Sequence, residues 1–185
     1  MVLFRIRRII LTLEPKYYMD TSIQKFPYQV RYAHWITLFL VLVAYFTSES
    51  PILDQWLGQV HVLAGSTVFI FFFIRLTLYF HFKSQFPEVP RMTQFQEKAF
   101  RWMKVCLYLC LFVVPFLGWL ALSMTQTHFS LFGIDLPLIK FSKHYNIGGL
   151  HQIIANIFMT LIGLHALAAL FHHFILKDNV LKSMK

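Results

Sequence analysis

Among the nine histidines in this chain, four in or at the ends of long apolar segments share a pattern: His34, His61, His151 and His165. Polar side chains are costly inside a lipid bilayer, so they usually face other helices there and mark a functional site. An imidazole ring can ligate a metal or carry a proton near neutral pH. These four side chains therefore predict a metal site or a proton-transfer site within a membrane domain.

The spacing of these histidines predicts two pairs at two depths. His151 and His165 are 14 residues apart, which on a helix is about 40° short of four full turns, so both rings lie on one face about 21 Å apart along the axis. In a bundle of antiparallel helices, His34 then meets His165 at one depth and His61 meets His151 at the other. Two imidazole pairs held between facing helices suit two haem groups with both axial positions filled.

The type of cofactor follows from what accompanies each pair. The sequence has no C-x-x-C-H motif for covalent attachment, so the expected group is haem b. Each pair offers two ligands and lacks nearby cysteine or carboxylate partners, which makes zinc the weaker alternative. A single histidine in such a segment is more often a hydrogen-bonded packing residue. Here four histidines form two pairs, each at its own depth, and this arrangement favours ligation.

Two further polar residues extend the pattern towards the cytoplasm. Arg75 lies 14 residues after His61, on the same helix face. A buried arginine needs an anionic partner, such as a haem propionate or a quinone oxygen; the alternative is a side chain that extends to lipid phosphates.

His172 lies about 20° from the helix face that carries His165. This position predicts a hydrogen-bond donor and proton relay for quinone, or else a histidine at the membrane interface. His173, rotated by about 100° more, is expected to face lipid headgroups or a neighbouring helix.

The elements that must position these residues are four apolar segments, roughly Tyr32–Phe46, Gly58–Phe82, Trp102–Ser123 and Leu150–Leu176. A spanning helix needs about 20 mainly apolar residues, so the first segment spans only if it begins near Tyr28 and continues to Ser48. With 57% hydrophobic and 14% charged residues, the chain has too few charges for a soluble globule. The predicted fold class is all-α, an integral membrane four-helix bundle.

Positive charge predicts the orientation of the bundle. The N-terminal segment, the middle loop and the C-terminal tail hold 13 of the 17 Lys and Arg residues, whereas the other two loops hold only Lys140 and Lys143. Because positively charged loops are retained in the cytoplasm, both termini are expected there. The net charge of +9 then reflects membrane orientation, and no nucleic-acid partner is expected.

The sequence predicts that the chain has two parts, which meet after residue 25. Residues 1–25 form a basic extension, and residues 26–185 form the four-helix dihaem domain. The apolar part of the extension is too short to span a membrane, and no signal-peptide cleavage site follows it. The extension either lies on the membrane surface or reflects translation that starts at Met19.

These residues at these spacings resemble the bacterial cytochrome b561 family, and the likeness runs from Phe26 to the C-terminus. The matching runs are RYAHW around His34, HVLAG from His61, IRL around Arg75, VPFLGW in the third segment, HQIIAN from His151, and GLHALAALFHH with the KDN that follows, which contains His165 and His172. The likeness is greatest to the small stand-alone members, which include the superoxide oxidase type.

The resemblance implies a multi-pass protein of the bacterial inner membrane with two haem b groups. The implied haem ligands are His34, His61, His151 and His165, and the position of His172 is implied to contact quinone. The implied activity is that of an oxidoreductase, which passes electrons from a periplasmic one-electron donor, superoxide being the leading candidate, through two haems to ubiquinone near the cytoplasmic side.

The donor side is expected to attract an anion. Lys140, Lys143 and a protonated His144 in the outer loop would draw superoxide towards the outer pair. The alternative is a cytochrome b subunit that serves a partner dehydrogenase or hydrogenase, and a third interpretation is a structural membrane protein without haem. The expected partners are membrane lipid, quinone and a small-molecule or protein electron donor; the sequence does not indicate an oligomeric state.

Overall fold

Four long helices dominate the computed structural model, which describes residues 24–48, 56–87, 93–139, 146–177 and 180–185. They are α1 (Tyr28–Phe46), α2 (Trp56–Phe82), α3 (Gln94–Thr125) and α4 (Ile147–Phe171). Each is long and apolar enough to cross a membrane, which confirms the predicted all-α fold with four spans. Most of the extension at residues 1–25 lies outside the described residues.

All four helices begin earlier than their predicted apolar segments, and the starts of α1 and α3 have clear consequences. α1 begins at Tyr28 and so reaches 19 residues, about 28 Å at 1.5 Å per residue. α3 begins at Gln94, eight residues before the predicted Trp102, because Thr93 and Gln96 form a capping box. The Thr93 backbone N–H donates to Gln96 Oε1 at 2.9 Å, and the Gln96 N–H donates to Thr93 Oγ1 at 3.3 Å. Hydropathy misses this start because caps are made by polar side chains.

The end of α4 also differs from the prediction. The helix is α-helical to Phe171 and continues as a π-helical turn, His172–Leu176, before Lys177 adopts a left-handed conformation with φ of 53°. A π turn is wider than an α turn, so successive residues rotate by less. The angle between His172 and His173 is therefore smaller than the 100° expected from a regular helix.

The helices pack as neighbours in chain order, α1 on α2, α2 on α3 and α3 on α4. Among the described residues, the backbones of α1 and α4 do not approach each other closely, and neither do those of α2 and α4. All four helices contribute to one small buried core at mid-bundle, formed by Val41, Val68, Cys110, Leu111 and Phe158. The pairs His34–His165 and His61–His151 lie in the space between α4 and the helices α1 and α2.

A β-hairpin that the sequence did not predict covers the outer end of α3. Its strands β1 (Ser130–Leu131) and β2 (Ile134–Asp135) are antiparallel and are joined by Phe132 and Gly133, with φ of 50° and 87°. Two consecutive positive φ values are those of the two-residue turn that matches strand twist, and glycine adopts one of them without strain. Leu131 packs with Leu122 and Phe129 in a second buried cluster, which fixes the hairpin on α3.

The two ends of the described chain meet at the opposite end of the bundle. A short C-terminal helix, α5 (Val180–Ser183), packs against the end of α4 and the π turn. The Phe26 N–H donates to the Ser183 carbonyl at 3.0 Å, and Trp35 Nε1–H donates to the Met184 carbonyl at 3.0 Å. The segments that flank the first and last long helices are thus on one side.

Candidate functional site

The histidine pair near the outer hairpin is formed by His61 and His151, each close to the start of its helix. Their ring centres are 6.1 Å apart and the ring planes are nearly perpendicular, at 87°. His61 Nδ1 lies 2.7 Å from the Ala44 carbonyl, and His151 Nδ1 lies 3.0 Å from the Val114 carbonyl. Because a carbonyl only accepts, each Nδ1 carries the proton, and each Nε2 keeps its lone pair for a metal.

The helix end of α1 explains one of these contacts. Ala44 lies in the last turn of α1, where backbone carbonyls have no helical N–H partner. His61 Nδ1–H donates to this carbonyl. The same hydrogen bond therefore gives the carbonyl a partner and orients the His61 ring. These carbonyl partners carry no sequence signal, since any residue type would supply them.

The second pair, His34 and His165, lies at the other end of α1 and α4. The ring centres are 6.4 Å apart with planes at 68°. Arg75 from α2 turns into the bundle beside this pair, with Nη1 3.4 Å from His34 Nδ1 and Cζ 5.5 Å from the centre of the Tyr108 ring. Its guanidinium is directed at these groups instead of towards lipid phosphates, and its Nε is buried without a hydrogen-bond partner.

The separation of the rings tests whether a metal fits between them. With metal–nitrogen bonds of about 2.0 Å and ring centres about 1.1 Å beyond each nitrogen, imidazoles on opposite sides of one metal have centres about 6.2 Å apart. The two pairs, at 6.1 and 6.4 Å, match this separation. Both pairs join helices whose backbones stay apart, which leaves room around each ring pair. The residues present therefore fit a six-coordinate haem iron at each depth.

A cavity of about 700 Å³ surrounds the outer pair and is lined by all four helices. This volume lies within the range of about 300–1,000 Å³ that small-molecule and cofactor sites occupy. Most of the lining is apolar, but Ser66, Gln152 and Asn156 add polar groups that the sequence analysis did not single out. Such a cavity suits a large planar cofactor with an apolar body and a few polar substituents.

The hairpin segment closes the outer side of this cavity. Trp119 Nε1–H donates to the Pro137 carbonyl at 3.0 Å, and the Phe132 N–H donates to Gln59 Oε1 at 2.9 Å. Leu136, between these anchors, lines the cavity. The pair of His61 and His151 is thus covered by a folded loop at this end of the bundle. Lys140, Lys143 and His144, which follow this loop, lie outside the described residues.

Gly118 is a part of the outer site that sequence reasoning missed. A Cβ at this position would lie 3.1 Å from His151 Cε1 and 3.4 Å from His151 Nδ1. Only glycine lets α3 pass this close to the ring without displacing it. The glycine stands in the VPFLGW run, but its contact with His151 depends on how α3 and α4 pack.

His172 and His173 lie in the π turn, and both are half-buried. His172 lines a groove of about 650 Å³ together with Gln96 at the start of α3 and the apolar side chains Leu167, Phe171 and Phe174. The latter three are 62%, 52% and 65% exposed, so the groove opens to the lipid side of the bundle. The ring of His173 is turned so that Nδ1 is buried without a partner.

Comparisons with known proteins identify a family and two similar relatives. A family model described as prokaryotic cytochrome b561 matches residues 25–185. The chain is 33% identical over 166 residues to cytochrome b561 homolog 1 of Escherichia coli (strain K12), covering 83% of this chain and 92% of that protein. It is 28% identical over 159 residues to the probable superoxide oxidase CybB of Yersinia pestis, covering 82% of this chain and 90% of that protein.

Proposed function

This chain belongs to the prokaryotic cytochrome b561 family, and from that premise we propose that it holds two haem b groups and passes electrons from periplasmic superoxide to ubiquinone. Family membership makes it a multi-pass bacterial membrane protein and a b-type cytochrome of electron transfer. The number of haems, the donor and the acceptor are the proposal. The observation that carries it is the pair of histidine sites, each with the ring separation that one iron requires.

Each haem is proposed to be held between α4 and one other helix. His61 and His151 ligate the outer haem, and His34 and His165 ligate the inner one. A haem held by either of these two pairs of histidines would supply one-electron redox chemistry, and the histidines would leave no position for oxygen. The protein supports this by donating from His61 Nδ1 and His151 Nδ1 to backbone carbonyls, which fixes the ring orientation and the free Nε2.

The proposed orientation places both termini in the cytoplasm. The bias of Lys and Arg towards the N-terminal segment, the middle loop and the C-terminal tail supports it. The contact between Phe26 and Ser183 also supports it, because it places both ends of the described chain on one side of the bundle. The outer pair then faces the periplasm and the inner pair the cytoplasm.

On the donor side, superoxide is proposed to lose one electron and leave as dioxygen. The relative named a probable superoxide oxidase supports this choice of donor. Lys140, Lys143 and His144 are proposed to attract the anion at the mouth of the outer loop. Leu136 of the hairpin segment lines the cavity, and these cationic residues follow it in the chain.

On the acceptor side, ubiquinone is proposed to bind near the cytoplasmic face, where it takes up two electrons and two protons to form quinol. Two superoxide anions supply the electrons, so two dioxygen molecules form for each quinol. His172 is proposed to donate a hydrogen bond and relay a proton, because it lines a groove that is open to lipid. Arg75 contributes a fixed positive charge at the inner pair, for a haem propionate or for the quinone oxygen.

The donor is tested by exposing the purified haem-loaded protein to enzymatically generated superoxide. We expect the reduced-haem absorbance bands to appear, superoxide dismutase to abolish them, and a soluble quinone to return the spectrum to the oxidised form with formation of quinol. If dithionite reduces the haem but superoxide leaves it oxidised, superoxide is not the donor, and the subunit role with a partner dehydrogenase or hydrogenase is favoured.

The close approach of Gly118 to His151 leads to a prediction for the outer haem alone. In Gly118→Ala the added methyl displaces the His151 ring by a few tenths of an ångström and strains its hydrogen bond to Val114. We expect outer-haem affinity to fall by at least about 10-fold, the scale of losses around metal ligands, with inner-haem binding unchanged. The measurement is haem titration of the apoprotein, followed spectroscopically.

A matched control is Gly163→Ala on α4, where an added Cβ meets nothing within 4 Å. Both changes raise helix propensity by the same amount, about 1 kcal/mol, so the pair separates ring displacement from helix stability. Equal haem affinity in the two variants would show that Gly118 does not position His151.

A further inference from the structure

Arg75 is a cation within the membrane-spanning part of α2 that is not held by an acid. Among the residues that the structure describes, the ion pairs are those of Arg101 with Glu97 and of His128 with Asp135. The side chain of Arg75 is held instead by two weaker contacts, from Nη1 to His34 Nδ1 at 3.4 Å and from Cζ to the Tyr108 ring centre at 5.5 Å.

Only one of these contacts is compatible with ligation by His34. An arginine donates its N–H groups, so the contact at 3.4 Å requires a lone pair on His34 Nδ1. An imidazole that ligates through Nε2 carries its proton on Nδ1, and that N–H faces the guanidinium without an attractive hydrogen bond. Of the contacts that the described chain itself makes with this guanidinium, the ring of Tyr108 is then the one that helps to keep it inside the bundle, beside the propionate or quinone oxygen proposed above.

The π face of Tyr108 suits this role. A guanidinium within about 6 Å of an aromatic ring centre is attracted by the ring's quadrupole, most strongly where water is excluded. Without that attraction, a long arginine side chain in α2 extends along apolar surface to the cytoplasmic interface, where phosphates and water solvate it. α2 ends at Phe82, seven residues after Arg75, so the guanidinium of Arg75 can reach the cytoplasmic interface.

We propose that Tyr108 is a positioning residue that holds Arg75 beside the inner histidine pair, so that its positive charge raises the reduction potential of the inner haem relative to the outer one. A fixed positive charge favours the reduced, less positive form of a neighbouring redox centre. The arrangement therefore directs electrons from the outer to the inner side. This inference rests on the proposed function, because it requires a haem at His34 and His165.

The experiment is a spectroscopic redox titration of the haem-loaded protein and three variants. Tyr108→Leu removes the aromatic face, Tyr108→Phe keeps it without the hydroxyl, and Tyr79→Leu is the matched control. Tyr79 stacks with a different cation, Lys104, whose Nζ is 5.3 Å from its ring centre. The inner component is identified as the one that disappears in His34→Ala.

We expect Tyr108→Leu to bind both haems and to shift only the inner component to a lower potential, with Tyr108→Phe and Tyr79→Leu like the unmodified protein. An unshifted inner component in Tyr108→Leu would overturn the inference, and so would an equal shift in Tyr108→Phe, since the ring is retained there. A titration of the unmodified protein with a single haem component would instead contradict the proposed function itself.

Discussion

Replacing His61 with alanine is expected to remove one haem and leave the other in place. His61 and His151 face each other near the hairpin, and His34 and His165 face each other at the opposite end of the helices. Loss of one axial ligand leaves the iron with an open position or releases the haem, and only at that depth. We expect one haem in His61→Ala to be lost or made high-spin, and the other to keep an unchanged low-spin spectrum.

The partner variants make this prediction specific. His151→Ala should lose the same spectral component as His61→Ala, and His34→Ala and His165→Ala should both lose the other one. The measurement is the haem-to-protein ratio together with the optical spectrum of each purified variant. His81→Ala is the control, because His81 is exposed at the last turn of α2. Depletion of one component by both His34→Ala and His61→Ala would contradict the pairing.

The second large effect is expected for His172→Ala, in the reaction with quinone. His172 follows His165 by about two turns and lines the groove that opens to lipid, whereas the four paired histidines do not line it. Removing a positioned proton donor costs on the order of 100-fold in rate. We expect both haem spectra to stay nearly intact and reoxidation of the reduced protein by quinone to slow by roughly that factor.

Stopped-flow mixing of the pre-reduced protein with a soluble quinone measures this rate. His173→Ala is the matched control, because it changes the same π turn but not a residue that lines the groove. We expect a much smaller effect from it. A rate for His172→Ala equal to that of the unmodified protein would mean that quinone docks elsewhere, most simply at the outer haem.

The sequence predicts the framework of this protein because membrane spans and buried polar residues both have strong signals. Four long apolar segments in a chain with few charges predict four membrane-spanning helices, because few other structures can bury such segments. The spacing of His151 and His165 on one helix, with one histidine near each required depth on α1 and α2, predicts the two pairs that the structure brings together. Hydropathy and helical periodicity sufficed for both inferences.

Features that depend on local polar chemistry or on helix packing were not predictable in the same way. α3 begins eight residues earlier than predicted because Thr93 caps it. A search for apolar segments does not detect a cap, since caps are polar side chains. The turn through Phe132 and Gly133 lacks the Asn-Gly or Asp-Gly signal of a tight hairpin. The contacts of Gly118 with His151 and of Tyr108 with Arg75 join residues far apart in the chain, so only the fold reveals them.

The central claim is that each of two histidine pairs holds one haem b, and it is tested most directly on the intact protein. The measurement is the ratio of extractable haem b to polypeptide, with the spin state of the iron determined by electron paramagnetic resonance on the same sample. The account predicts two haem b groups per chain, both low-spin with two imidazole ligands. One haem per chain at saturation, or a high-spin iron with an open axial position, would contradict it.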